Sequence, residues 1–162
     1  MAKYSDEDLK PHKSVAVFVR NENDGTWLVM YHKKHDMIAP VIGKVLPGER
    51  IDAAASRELK EEVGLDVKPS SLRYLGSYKK EYDFDGTKVW VDTHCFCIGL
   101  DGFWSMMDYI VQNKEPEKHD NLRFEPMLEI KQFILNPNVR VADALRWLVF
   151  VYGSRRRLPE ER

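Results

Sequence analysis

The chain has 162 residues, of which 43% are hydrophobic and 31% charged, with a formal net charge of −1. That balance suits one soluble α/β unit with a sizeable core and argues against a basic protein that coats nucleic acid. No apolar run approaches the 18 or so residues that would cross a membrane, and "MAKYSDEDLKPHK" has no apolar signal core. Cys95 and Cys97 are the chain's two cysteines, and they sit two apart in an apolar run, "THCFCIGL". A strand would turn both to one face, so reduced core thiols and a cytoplasmic location are expected.

Residues 14–20, "SVAVFVR", and 27–34, "WLVMYHKK", read as strands around a turn cluster, together a hairpin. Residues 35–50 read as a loop punctuated by Pro40, Gly43, Pro47 and Gly48. A helix follows, with Asp52 as N-cap and Gly64 at its end. Residues 72–84 and 87–100 read as a long hairpin about Asp85-Gly86. "GFWSMMDYIVQ" is ambiguous, "NKEPEKHDNLRFEP" reads as a polar loop, and "MLEIKQFI" as a short strand or helical turn. A second helix is expected over 136–153, capped by Asn136, opened by Pro137 and closed by Gly153. Its Trp147 and Phe150 suit either the core or a dimer contact, so monomer and homodimer both stay open. Residues 1–12 and 154–162 read as loose tails of a single 1–162 domain.

Three glutamates, Glu58, Glu61 and Glu62, fall within five residues of the first helix, and 100° per residue places them on one arc. Ala55, Leu59 and Val63 recur on the adjacent flank and would bury it. Like charges at such spacing are mildly unfavourable, and the helix C-terminus disfavours anions. A hard, oxygen-seeking divalent cation would offset both.

Gly43, Glu49, Arg57-Glu58-Leu59, Glu61-Glu62 and Gly64-Leu65 resemble, position for position, the signature of the Nudix hydrolases. Chance agreement at the strict positions is on the order of 10⁻⁸ per start point. The resemblance is specific over Gly43–Leu65 and diffuse elsewhere. It implies the Nudix α/β fold, a mixed sheet sandwiched between helices, and hydrolysis of a nucleoside diphosphate linked to another group with Mg²⁺ or Mn²⁺. Glu61 and Glu62 match the family's principal metal ligands, and Glu58 matches a third ligand or the water-activating base. Glu49 matches an outer carboxylate, and Arg57 matches the arginine that orients it. The family commonly has Pro-Gly-Gly before this box. Here Val41-Ile42-Gly43 stands there, and the Ile42 carbonyl falls where a backbone ligand is often supplied.

"NKEPEKHDNLRF" resembles a segment of MutT-like enzymes that convert (deoxy)nucleoside triphosphates to monophosphates. It offers Glu115 or Glu117 as a further carboxylate near the metal and Lys118 as a phosphate contact; Lys44 or Arg20 is a second candidate for phosphate charge, and Phe18, Trp90 and Phe124 are the candidates to stack a base. Tyr82 follows Leu65 by 17 residues, resembling a tyrosine of dinucleoside polyphosphate hydrolases, but with Tyr74 and Tyr78 nearby that spacing is easily met by accident. A nucleotide is therefore the expected partner, with no membrane and no stable nucleic-acid complex. A non-catalytic nucleotide sensor is the alternative outside enzyme chemistry.

Overall fold

The computed structural model describes residues 3–101 and 111–153. Strand β1 (His12–Asn21) lies at the centre of a seven-stranded mixed sheet and is buried on both faces. Its β-branched run explains both facts: Val15, Val17 and Val19 point to one face, Ala16 and Phe18 to the other. Strand β2 (Thr26–His32) pairs with β1 only at Arg20–Trp27 and Asn21–Thr26, where the turn joins them. Beyond that point β4 (Val41–Lys44) takes the place beside β1, while β2 pairs with β3 (Met37–Ala39). The expected 35–50 loop thus contains two short strands.

Strand β5 (Arg73–Phe84) and strand β6 (Thr87–Leu100) form the expected hairpin. Asp85 and Gly86 both have positive φ, 52° and 93°, as a tight primed turn requires. β6 runs parallel to β1 from His12–Val91 to Asn21–Leu100, which makes the sheet mixed. Strand β7 (His119–Glu125) pairs antiparallel with β2. The second half of the expected polar loop is therefore a strand, because its alternating side chains find a free edge.

Helix α1 (Ile51–Val63) covers one face of the sheet, burying Ala55, Leu59 and Val63 against Val15, Val17 and Leu28. Arg50, not Asp52, is its N-cap; Asp52 lies in the first turn, where it binds Arg50 at 3.1 Å. Its carboxylate still complements the helix dipole. Gly64 ends α1 at φ 76°, donating to Lys60 O at 3.1 Å.

The other face is covered by α2 (Met127–Leu135) and α3 (Asp143–Trp147), the latter continuing as a π-helical turn over Leu148–Tyr152. One helix over 136–153 is not formed. The Asn136 side chain instead accepts the Asn138 N–H at 2.9 Å, a local turn that competes with helix capping. Val139 to Ala142 then run alongside β3, with Ile38 N–H donating to Arg140 O and Ala142 N–H to Ile38 O, both at 2.9 Å. Gly153 is the C-cap of the π-helical turn, with a right-handed φ of −62° and its N–H donating to Leu148 O. Trp147 is buried in the core, whereas Phe150 is exposed.

The ambiguous segment around Gly102–Ile110 and the tail from Ser154 lie outside the described residues. The N-terminal lead, expected to be loose, is pinned: Asp8 is buried and paired with Lys44 at 2.6 Å. Among the described residues no helix is long and apolar enough to cross a membrane.

Cys95 and Cys97 are free and buried on the α2–α3 face. Burial pushes their thiols up to about 12 and about 11. Since the thiolate is the reactive form, a thiol reagent at pH 8 should label neither cysteine in the native protein and both in denaturant. Leu59→Ala should lower unfolding free energy by about 2–5 kcal/mol in urea titrations.

Candidate active site

β4 runs into a turn and then α1, and this connection builds the site. Glu58 and Glu62, one helical turn apart, are buried; Glu61, between them, is half exposed. The three share the expected arc, but the sheet covers only part of it. Gly43, in β4, faces Glu58 so closely that a Cβ there would lie 1.9 Å from the Glu58 carboxyl carbon. Gly43 is extended β4 backbone rather than the tight turn expected, and the need for glycine is one of space.

Arg57 uses all five of its N–H donors. Nε and Nη2 bind the two oxygens of Glu49 at 2.8 and 3.0 Å, and Nη2 also donates to Lys44 O at 2.8 Å. Nη1 donates to Glu58 at 2.8 Å and to Glu61 at 3.1 Å. A lysine could not reproduce this fork, which locks helix, turn and β4 together. The Arg57 hydrogen bonds hold the Glu49 carboxyl below its usual range, and Glu49 in turn holds the guanidinium charged. Glu49 is thereby occupied, and neither it nor Arg57 lines the cleft.

Burial, with the neighbouring Glu62 charge, pushes Glu58 up to about 7 against the pull of Arg57. Burial also raises Glu62, opposed by His119, whose Nε2 lies 3.4 Å from Glu62 Oε1. Oε2 of Glu62 has no hydrogen-bond partner among the described residues. Buried carboxylates in this condition fit a divalent cation, whose charge would offset the burial of Glu58 and Glu62 beside Glu61.

These residues line a cleft of about 580 Å³ together with Ile42, Lys44, Glu115 and Lys118. The Glu62 carboxylate also faces the Ile42 amide, so Ile42 enters the site through its backbone. Lys118 binds Glu115 at 2.9 Å. Phe124 does not reach the cleft: on β7 opposite Leu28 it packs against the α1 side of the core, which removes it from the base-binding candidates. Phe18, an apolar run residue, is likewise core.

The lining of the same cleft also includes Lys34, Lys80 and Arg140 with Tyr4, Tyr82 and Phe84. Tyr82 and Phe84 stack with centroids 5.9 Å apart and planes within 3°, and Tyr4 lies 4.8 Å from Phe84. Asp8 sits in the cleft between Lys44 and Lys34. Its burial disfavours charge, but hydrogen bonds from Lys44, Ser5 and Lys34 outweigh that and hold its carboxyl well below the usual range. Sequence reasoning missed Asp8 and His119. The first is remote in sequence from everything it touches; the second was readable as the partner of Glu115 four residues earlier.

The NUDIX domain family matches residues 10–148. The chain belongs to that family. Over 55 residues this Nudix chain is 49% identical to "Putative 8-oxo-dGTP diphosphatase YtkD" of Bacillus subtilis (strain 168), a match covering 34% of the chain and 33% of that relative. Among solved structures, the NUDIX domain of Shewanella oneidensis NrtR, complexed with ADP ribose, superposes with a TM-score of 0.65 at 13% identity, covering 94% of this chain and 93% of that one. The MutT protein of Methanosarcina mazei Go1 gives 0.63 at 18% identity, with 90% and 96% covered. At such identities the likeness is one of fold, and Nudix folds carry differing ligand sites.

Gly43→Ala should leave the fold intact, since Glu58 can swing its far end aside, yet cut nucleotide hydrolysis about 10²-fold by displacing that carboxylate. Circular dichroism and steady-state kinetics on the same preparation check both halves.

Proposed function

We propose that this chain is a pyrophosphohydrolase that cleaves the phosphate chain of a nucleotide, with a (deoxy)nucleoside triphosphate giving monophosphate and pyrophosphate as the favoured reaction. The observation that carries the reading is a single cleft lined both by the buried carboxylates Glu58 and Glu62 and by Lys44, Lys118, Arg140 and the Tyr82–Phe84 stack. A bare carboxylate cluster would repel a polyphosphate. A bound Mg²⁺ or Mn²⁺, held by Glu61 and Glu62, would supply the opposite charge and lower the pKa of water.

The chain's own residues supply the rest. Arg57 fixes Glu58 and Glu61 from behind. Glu58, with its carboxyl near 7 and one oxygen held by Arg57, keeps its second oxygen for a proton. In this reading it takes that proton as water oxygen attacks phosphorus, the bridging P–O bond breaks, and pyrophosphate leaves. Lys44 and Lys34 neutralise the Asp8 carboxylate in this structure, so they have the reach and charge to take a phosphate in its place. The triphosphate direction is supported by the name of the B. subtilis relative. Two free thiols support a cytoplasmic location in this reading.

A dinucleoside polyphosphate is the second reading, favoured by Tyr82 and its stack on Phe84 within the cleft. A panel of ATP, GTP, dGTP, an oxidised dGTP and diadenosine tetraphosphate, with Mg²⁺ or Mn²⁺, separates the two by products. Monophosphate with pyrophosphate is the expected result; release of orthophosphate from every triphosphate would contradict it. Glu62→Gln should lower turnover by orders of magnitude while the metal-free protein unfolds at the same temperature or higher.

A further inference from the structure

Three donors converge at the C-terminal end of α1. One oxygen of Glu62, one of Glu115 and a ring nitrogen of His119 all lie within 4.8 Å of one another. The backbone builds this meeting. Gln112 and Lys114 donate N–H to the carbonyls of Val63 at 3.0 Å and Glu62 at 2.9 Å, groups a helix end leaves open. Asn113 then clamps the next turn, its Oδ1 accepting Glu115 N–H at 3.1 Å and its Nδ2 donating to His119 O at 2.9 Å. His119 N–H donates to Glu115 O at 3.0 Å, closing one helical turn that sets the two side chains, four apart, on one side. Pairing of His119 with His32 at the start of β7 holds the ring in place.

The His119 imidazole and the Glu62 carboxylate are 2% and 3% exposed. Among the described residues, neither ring nitrogen of His119 and not Oε2 of Glu62 has a hydrogen-bond partner. The 3.4 Å between Nε2 and Oε1 exceeds the ~2.7–2.9 Å of a charge-assisted bond. A histidine with a purely structural role would bond a carbonyl or carboxylate through one nitrogen, and this one does neither. Neighbouring ligands of one ion, each about 2.1 Å from it, stand on the order of 3 Å apart. The 3.4 Å between His119 Nε2 and Glu62 Oε1 is near that spacing rather than that of a closed ion pair, and an oxygen of Glu115 lies within 4.8 Å of the donors of the other two.

We propose that Glu62, Glu115 and His119 form a divalent-cation site of mixed carboxylate and imidazole character beside Glu58 and Glu61, selecting cations that accept nitrogen, such as Mn²⁺, Co²⁺ or Zn²⁺, over Mg²⁺. It rests on the pyrophosphohydrolase reading only in sharing Glu62. Mg²⁺ keeps oxygen ligands and its waters, whereas imidazole suits the transition ions.

Electron-spin-echo spectroscopy of Mn²⁺ bound to the full chain tests it, alongside calorimetry with Mn²⁺ and with Mg²⁺. The expected result is ¹⁴N coupling from one imidazole, absent in His119→Gln, with Mn²⁺ affinity weakened about 10–100-fold and Mg²⁺ affinity unchanged. Glu115→Gln guards against a folding defect: it should keep the nitrogen coupling and still weaken Mn²⁺ uptake. Bound Mn²⁺ without nitrogen coupling, or coupling that survives His119→Gln, overturns the site; hydrolysis by that same sample would leave the enzymatic reading standing. Absence of any cation uptake together with absence of hydrolysis overturns both.

Discussion

Glu58 and Glu62 are buried one turn apart on α1, and the His119 imidazole lies 3.4 Å from the inner carboxylate. Taking two like charges out of water costs several kcal/mol per ion unless something compensates. Much of the surrounding structure can be understood as holding that arrangement in place. Gly43 has no side chain because the Glu58 carboxyl fills its space. Arg57 commits every donor to fixing carboxylates and one backbone carbonyl on its own side of the helix. The loop that carries Glu115 and His119 is tied to the open carbonyls of the helix end.

The fold supplies a rigid frame for this tension. α1 is anchored by Leu59 and Val63 on the valines of the central strand, so the helix cannot roll about its axis without unpacking that face. The C-terminal helices brace the sheet from behind, and the segment that joins them brings Arg140, with Asp143 at the start of α3, into the cleft lining. Across the cleft, Asp8 lies between two lysines much as a phosphate would.

The strongest sequence signals were those in which one residue type at one spacing has one physical use. The Asp85-Gly86 turn, the left-handed Gly64 and the Ala55–Leu59–Val63 stripe all needed nothing beyond their neighbours. Helix capping was less legible, since Asp52 and Asn136 each had a local alternative: an arginine in one case, an Asn138 amide in the other. Strand β7 and the pairing of residues 139–142 with β3 depend on edges formed by distant residues, so no local pattern announces them. In the site, the carboxylates of α1 were readable because one helix carries them. Phe124 fell into the core because its strand register is set by β2. Tyr82 entered the cleft although its spacing alone had little weight.

The central claim is that α1 gathers buried carboxylates which a divalent cation completes. Thermal unfolding of the full chain with chelator, and then with Mg²⁺ or Mn²⁺ at about a hundredfold above the dissociation constant, tests it directly. Binding confined to the folded state predicts a rise in Tm on the order of 5–10 °C, an increment that Glu62→Gln should abolish. An identical Tm with chelator and with millimolar metal would contradict the account.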